Sequence, residues 1–128
     1  MELNLNNKTA LITGASKGIG KAIAESMAKE GCNLILTARS EDKLKTLKED
    51  LQKNHNISVE ILAIDLSKKN SVEKISEFSG DVDILINNAG AIPPGNLSDI
   101  DEDTWRNAWN LKLFGYINIT RLIYNKMK

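Results

Sequence analysis

The sequence predicts an α/β fold: a doubly wound parallel sheet with helices on both faces. Three observations carry this reading. Four short apolar runs alternate with longer segments whose apolar residues recur at helical spacing. The runs are apolar almost throughout, as strands covered on both faces are. The first run stops at a glycine-rich turn that opens directly into a helix.

Thr9–Thr13 reads as the first buried strand, ended by Gly14. From Gly18 to Glu30 an amphipathic helix follows, with Ile19, Ile23 and Met27 on its apolar face and Gly31 as its C-terminal cap. Leu34–Ala38 is the second strand. Ser40 is a good N-cap, and Glu41 and Asp42 suit the first turn of the next helix, which shows Leu44, Leu47 and Leu51 and runs to about Asn54. Val59–Ile64 is the third strand. Ser67 is expected to cap a shorter helix with Val72, Ile75 and Phe78 on one face. Val82–Ile86 is the fourth strand, followed by a loop holding Gly90, Pro93, Pro94 and Gly95. Asp101 is placed to cap a last helix from about Glu102 to near Met127. There is no repeat, linker or low-complexity tract, so residues 1–128 read as one domain.

Composition narrows the function. Seventeen basic residues balance seventeen acidic ones, which speaks against a nucleic-acid partner. No apolar run is long enough for a membrane span, and the polar N-terminus is not a signal peptide, so a cytoplasmic location is expected. The single cysteine, Cys32, and the single histidine, His55, leave no material for a cysteine or histidine metal cluster. Cys32 reads as a small buried hydrophobe and His55 as a surface residue.

In such a sheet the ligand lies at the carboxyl ends of the strands. That rim gathers Thr13–Gly20, Ala38–Ser40 with Asp65, and Asn87–Gly90. The turn carries glycines spaced G-x-x-x-G-x-G. Gly14 permits a tight exit from the strand, Gly18 lets backbone approach a pyrophosphate at the helix N-terminus, and Gly20 permits close helix packing. A magnesium-dependent phosphate loop is excluded, because Ala22 follows Lys21 where Ser or Thr is needed. The second strand ends in Thr37-Ala38-Arg39 and offers no carboxylate for a ribose 2′-hydroxyl. Arg39 and Lys17 are instead suited to a 2′-phosphate, which favours NADP(H) over NAD(H).

Four markers stand in order: T-G-x-x-x-G-I-G at Thr13–Gly20, Asp65, N-N-A-G at Asn87–Gly90, and Asn110 in the long helix. With them the sequence resembles the short-chain dehydrogenase/reductase family along its whole length. The resemblance implies a Rossmann-like sheet and hydride transfer between a nicotinamide and a small alcohol or carbonyl substrate. It implies cofactor contacts at Gly14, Ser16, Lys17, Gly18, Ile19, Gly20, Arg39, Asp65, Leu66, Asn88, Ala89 and Gly90, with Asp65 at the adenine ring. Asn87–Gly90 are implied to line the cofactor and brace the central strands. Asn110 is implied to be catalytic, its backbone holding a water in a proton relay. Lys17 and Arg39 match the basic positions of NADP-dependent members.

The family's catalytic serine and Tyr-x-x-x-Lys pair lie beyond a fifth strand. A neighbouring lysine lowers the phenol from its usual pKa of about 10 so that it exchanges a proton near neutrality. The sequence therefore reads as truncated after the fourth strand and its helix, a cofactor-binding half that is inactive alone. Tyr124–Lys128 fits Tyr-x-x-x-Lys by spacing, but it ends the helix that holds Asn110 with no strand between, so it is set aside.

The family's strand order would leave Ile84–Ile86 as an apolar sheet edge. The last helix shows Trp105, Trp109, Leu113 and Tyr116 near one face and Leu111, Phe114, Asn118 and Leu122 near another, and the resemblance implies a homo-oligomer through residues 102–127. A non-catalytic dinucleotide-binding or sensing module, or an inert oligomerising fragment, are the alternatives.

Overall fold

The computed structural model describes residues 1–128. Four parallel strands, β1 (Thr9–Thr13), β2 (Asn33–Ala38), β3 (Val59–Ala63) and β4 (Ile84–Ile86), form one sheet in the order β3-β2-β1-β4. Between them run α1 (Gly18–Lys29), α2 (Glu41–Asn54) and α3 (Ser71–Ser79). After β4 come α4 (Glu102–Trp109), a π-helical turn over Asn110–Phe114, and α5 (Gly115–Met127), continuous with one another. The order reverses at β1, between its neighbours β2 and β4, and that crevice is where such sheets bind ligands.

β1 and β2 are sandwiched, as their apolar runs predict, while the outer strands β3 and β4 are only partly buried. Alternate residues enter two separate clusters. Ala10, Ile12, Leu34, Leu36, Ala38 and Val59 pack with Ala24 and Ala28 of α1 and Leu44, Leu47 and Leu51 of α2. Leu11 and Ile35 face the other way, onto Ile75 of α3 and Ile119 and Ile123 of α5. Each fully buried leucine or isoleucine contributes about 1.5–3 kcal/mol. Cys32 is fully buried, as expected, and its thiol donates to the Lys8 carbonyl at 3.2 Å. Burial pushes that thiol's pKa up, and the nearby Asp83 carboxylate pushes in the same direction.

Several sequence expectations change in detail. On α1 the fully buried stripe is Gly20, Ala24 and Ala28, with the expected Ile23 and Met27 half-buried against the same core and only Ile19 outside it. Small residues let the helix lie close to the sheet, and Ile19 is left exposed at the rim. Ser40 caps α2, its Oγ accepting from the Lys43 amide at 3.4 Å, and Asp101 caps α4 through the Thr104 amide at 2.8 Å. Ser67 does not cap α3. Its amide and hydroxyl both donate to Asp65 Oδ1, at 2.9 and 2.7 Å, and the helix begins at Ser71 after Asn70 in the left-handed region, φ 65°. Phe78 of α3 is exposed rather than buried.

The last helix differs most. The π turn interrupts the helix, and burial follows neither of the two apolar faces expected of it. Ala108, Gly115, Ile119 and Ile123 are buried, while Trp109 and Phe114 are about half exposed, at 53% and 51%. β4 lies at the sheet edge with all three residues half-buried. No helix is long and apolar enough to cross a membrane.

Candidate functional site

The carboxyl ends of the strands open into a cleft of about 790 Å³ lined by 20 residues. The glycine turn forms its floor, residues after β2 and β3 one wall, and Asn88–Ala91 with the π turn the other. It contains Gly14, Ser16, Lys17, Gly18, Ile19, Arg39, Asp65, Leu66, Asn88, Ala89 and Gly90, so eleven predicted cofactor residues share one surface. Gly20 lies beneath them, fully enclosed by its neighbours.

The glycines have distinct tasks. Gly14 has φ +65°, and a Cβ there would fall 2.9 Å from Ala89 Cα. At Gly20 a Cβ would fall 2.2 Å from the Gly14 carbonyl oxygen and 2.5 Å from Asn88 Nδ2. That space is taken by the bond in which Asn88 Nδ2 donates to Gly14 O at 3.0 Å. Gly20 thus serves the joint between the turn and the β4 loop more than the helix packing expected of it. Gly18, φ +56°, has nothing within 4 Å of a would-be Cβ, so its backbone faces open cleft.

Thr13 completes this joint, and its role was not legible in the sequence. It is fully buried, and its Oγ1 accepts from the Asn88 and Ala89 amides, both at 3.0 Å. A threonine ending an apolar strand just before a glycine turn is the only signal available. The bracing expected of Asn87–Gly90 is therefore carried by Asn88 and Ala89. Asn87 turns away, donating from Nδ2 to Thr120 Oγ1 at 2.9 Å, and its Oδ1 is buried without a partner.

The electrostatics are one-sided. Lys17, Arg39, Lys43 and Lys112 line the cleft against a single carboxylate, Asp65. None of the four makes an ion pair; the pairs present are Lys21–Glu25, Lys45–Glu41 and Arg106–Glu102. The chain as a whole is neutral, so positive charge is concentrated here. The start of α1 has no side-chain cap and no acid in its first turn, unlike α2 and α4. Its free amides and dipole face the cleft and favour an anion. Two bonds from Ser67 hold the Asp65 carboxyl below the usual carboxylate range, with smaller help from Lys68 and Arg39. Burial pushes the Tyr116 phenol, at the far end of the cleft, above its ordinary value.

Besides Gly20, which lies beneath the turn, Asn110 is the predicted site residue that does not line the cleft. It lies on the opposite side of the helix with Trp105, Arg106, Trp109 and Phe114. The helix's contribution to the cleft is Leu111, Lys112 and Tyr116. Residues two apart lie on opposite faces of a helix, so with Lys112 on the cleft Asn110 lies on the other side.

A glycine cradle at an uncapped helix start, ringed by cations at a sheet's switch point, is the arrangement with which doubly wound α/β proteins bind dinucleotides. The comparisons narrow the class. The family model for short chain dehydrogenase matches residues 8–128, and the chain belongs to the short-chain dehydrogenase/reductase family. It is 36% identical over 128 residues to the uncharacterized oxidoreductase YvaG of Bacillus subtilis, covering 99% of this chain and 48% of YvaG. It is 32% identical to L-sorbose reductase from Gluconobacter frateurii, solved with NADPH and L-sorbose, with TM-score 0.89, covering 99% of this chain and 50% of that one. It is also 28% identical to a 7α-hydroxysteroid dehydrogenase solved with NADH and 7-oxoglycochenodeoxycholic acid, with TM-score 0.91, covering 98% and 50%. The chain spans about half the length of these relatives.

Proposed function

We propose that the chain is the NADP(H)-binding half of an oxidoreductase that moves a hydride between the nicotinamide and a small alcohol or carbonyl compound. The observation that carries this is the charge pattern after β2. Ala38 stands where a 2′-hydroxyl-binding acid would sit, and the exposed, unpaired Arg39 follows it. Relatives bind either nicotinamide cofactor, NADPH in the sorbose reductase and NADH in the hydroxysteroid dehydrogenase, so the choice rests on this chain's own residues.

In this reading the cofactor supplies the hydride. Gly14, Gly18 and the first amides of α1 receive the pyrophosphate, with Ser16 and Ile19 beside it. Lys17 and Arg39 hold the 2′-phosphate, Arg39 by a bidentate bond. Asp65 and Leu66 border the adenine, and Asn88, Ala89 and Gly90 border the path to the second nucleotide. Tyr124 has no part in the chemistry. It is 56% exposed at the end of α5, outside the cleft, with Lys128 Nζ stacked 4.9 Å from its ring centre. The same reading places the protein in the cytoplasm and assigns the exposed face of the 102–127 helix, with Trp109, Phe114 and Ile117, to a homo-oligomer contact.

Calorimetric titration of NADPH and NADH tests the reading. Arg39→Asp is expected to weaken NADPH binding by about tenfold or more, the scale of a lost charged hydrogen bond plus repulsion, and to spare NADH. Unchanged NADPH affinity in that variant would refute the charge assignment.

A further inference from the structure

We propose that Lys112 is the residue through which the last helix grips the second nucleotide of the bound dinucleotide, its ammonium donating to the ribose-phosphate beyond the glycine turn. The proposal rests on the dinucleotide reading above and adds a positioning residue to it.

Three observations converge on Lys112. Lys112 lies on the cleft side of the helix, and Asn110, two residues earlier, lies on the outer side. Lys112 lies within the π turn, and such turns are frequent at functional sites. The stem is fitted to a bare stretch of backbone. Lys112 Cδ and Cγ lie 3.6 and 3.8 Å from where a Cβ on Gly90 would be, so the chain of methylenes lies across that glycine.

The third observation is position relative to the other charges. Lys17, Arg39 and Lys43 lie on the α1–α2 side of the cleft, whereas Lys112 is beyond β4. β2 and β4 are two strand spacings apart, about 10 Å. A dinucleotide whose pyrophosphate sits on the glycine turn above β1 places one nucleotide on each side of it. The adenosine half takes the side with Arg39 and Asp65. The other half passes over Gly90, where Lys112 is the one cation of the cleft and has no ion-pair partner.

Two ligands separate the halves. NADPH fills both, while adenosine 2′,5′-bisphosphate carries the 2′-phosphate but no second nucleotide. Lys112→Met keeps most of the stem and removes the charge. Calorimetry on the whole chain is expected to show NADPH weakened about tenfold and the bisphosphate unchanged, with Lys112→Arg retaining NADPH affinity within a few fold. If Lys112→Met binds NADPH as tightly as the unchanged chain, the proposal is overturned and the dinucleotide reading stands. If both ligands weaken together, the effect is on the fold or the whole cleft, and the proposal is overturned. If the unchanged chain binds neither ligand, both readings fall.

Discussion

In β2 every residue from Leu34 to Ala38 is buried, whereas in β4, two strands away, Ile84, Leu85 and Ile86 are each half-buried. β2 has a strand on either side and helices over both faces; β4 has one strand neighbour. The cluster beneath α1 and α2 holds 13 buried residues and the one beneath α3 and α5 holds 7. These clusters lie on opposite faces of the sheet, and the cleft runs across its carboxyl edge from an adenosine end beside the fully buried β2 to a Lys112 end beyond the half-buried β4. The firmer side holds a phosphate cradle that must be preorganised, because backbone amides cannot adapt to an anion after it arrives. The looser side supplies a long, unpaired side chain that can.

A matched pair of truncations should break or sharpen this contrast most. Leu36→Ala, at a fully buried site, is expected to cost about 2–5 kcal/mol, from lost transfer energy plus a cavity. Leu85→Ala, half-buried on β4, is expected to cost about 1 kcal/mol. Urea unfolding of the two variants reads both values. Equal losses would mean that β4 belongs to the core no less than β2 does, and the two-sided picture would be wrong.

The same divide governs what the sequence reveals. β1, α1, β2 and α2 are legible to within about a residue at each end, because strand runs, Ser40 and Gly31 are local signals. Ile19 is misjudged there because periodicity does not say whether an apolar residue meets the sheet or a ligand cleft. Across the divide the errors are larger and have one kind of cause. Asn110 and Lys112 lie on opposite sides of the helix, as residues two apart do, and periodicity does not say which of those sides meets the cleft. Thr13 stays hidden for a related reason: its partners, the Asn88 and Ala89 amides, come from a loop more than seventy residues away. The glycine turn was readable because its constraint is on backbone conformation, which residue type records directly.

The joint between the two sides offers a test of intermediate size. Asn88 Nδ2 donates to Gly14 O across the gap that Gly20 leaves open. Asn88→Ala removes that donor and leaves a partly buried carbonyl unpaired, at an expected cost of about 1–3 kcal/mol. Asn88→Asp is expected to be worse, since it sets a carboxylate oxygen against the carbonyl. Amide exchange should localise the effect, with faster exchange at Ala15 and at the Asn88 and Ala89 amides, and little change within β2 and β3. Uniform acceleration across the sheet would show that the two sides unfold as one unit and that the joint does not separate them.

The smallest effect concerns Asp65 and Ser67, where the chain passes from β3 on the well-packed side toward α3 on the other. Ser67 looks like a helix cap in the sequence, yet both of its donors go to Asp65 Oδ1. These bonds stabilise the charged carboxylate, so the folded chain holds Asp65 below its ordinary pKa. The sign follows from linkage. A carboxyl whose pKa is depressed by folding contributes stability that is fully present above the unfolded value, about 3.9, and is lost as pH falls through the lower folded value. Ser67→Ala is expected to return the Asp65 titration, followed by carboxyl-carbon NMR, toward that ordinary value and to weaken this acid-range contribution. Arg39→Gln is expected to shift it less, because Arg39 is the smallest of the influences on Asp65. Helicity separates the two roles of Ser67. α3 starts four residues later, at Ser71, whose hydroxyl donates to the Asp65 carbonyl at 2.6 Å, so Ser67→Ala should leave α3 intact. If α3 frays while the Asp65 titration stays put, Ser67 is a cap after all, and the loop that borders the adenine end of the cleft is held by the helix instead of by the aspartate.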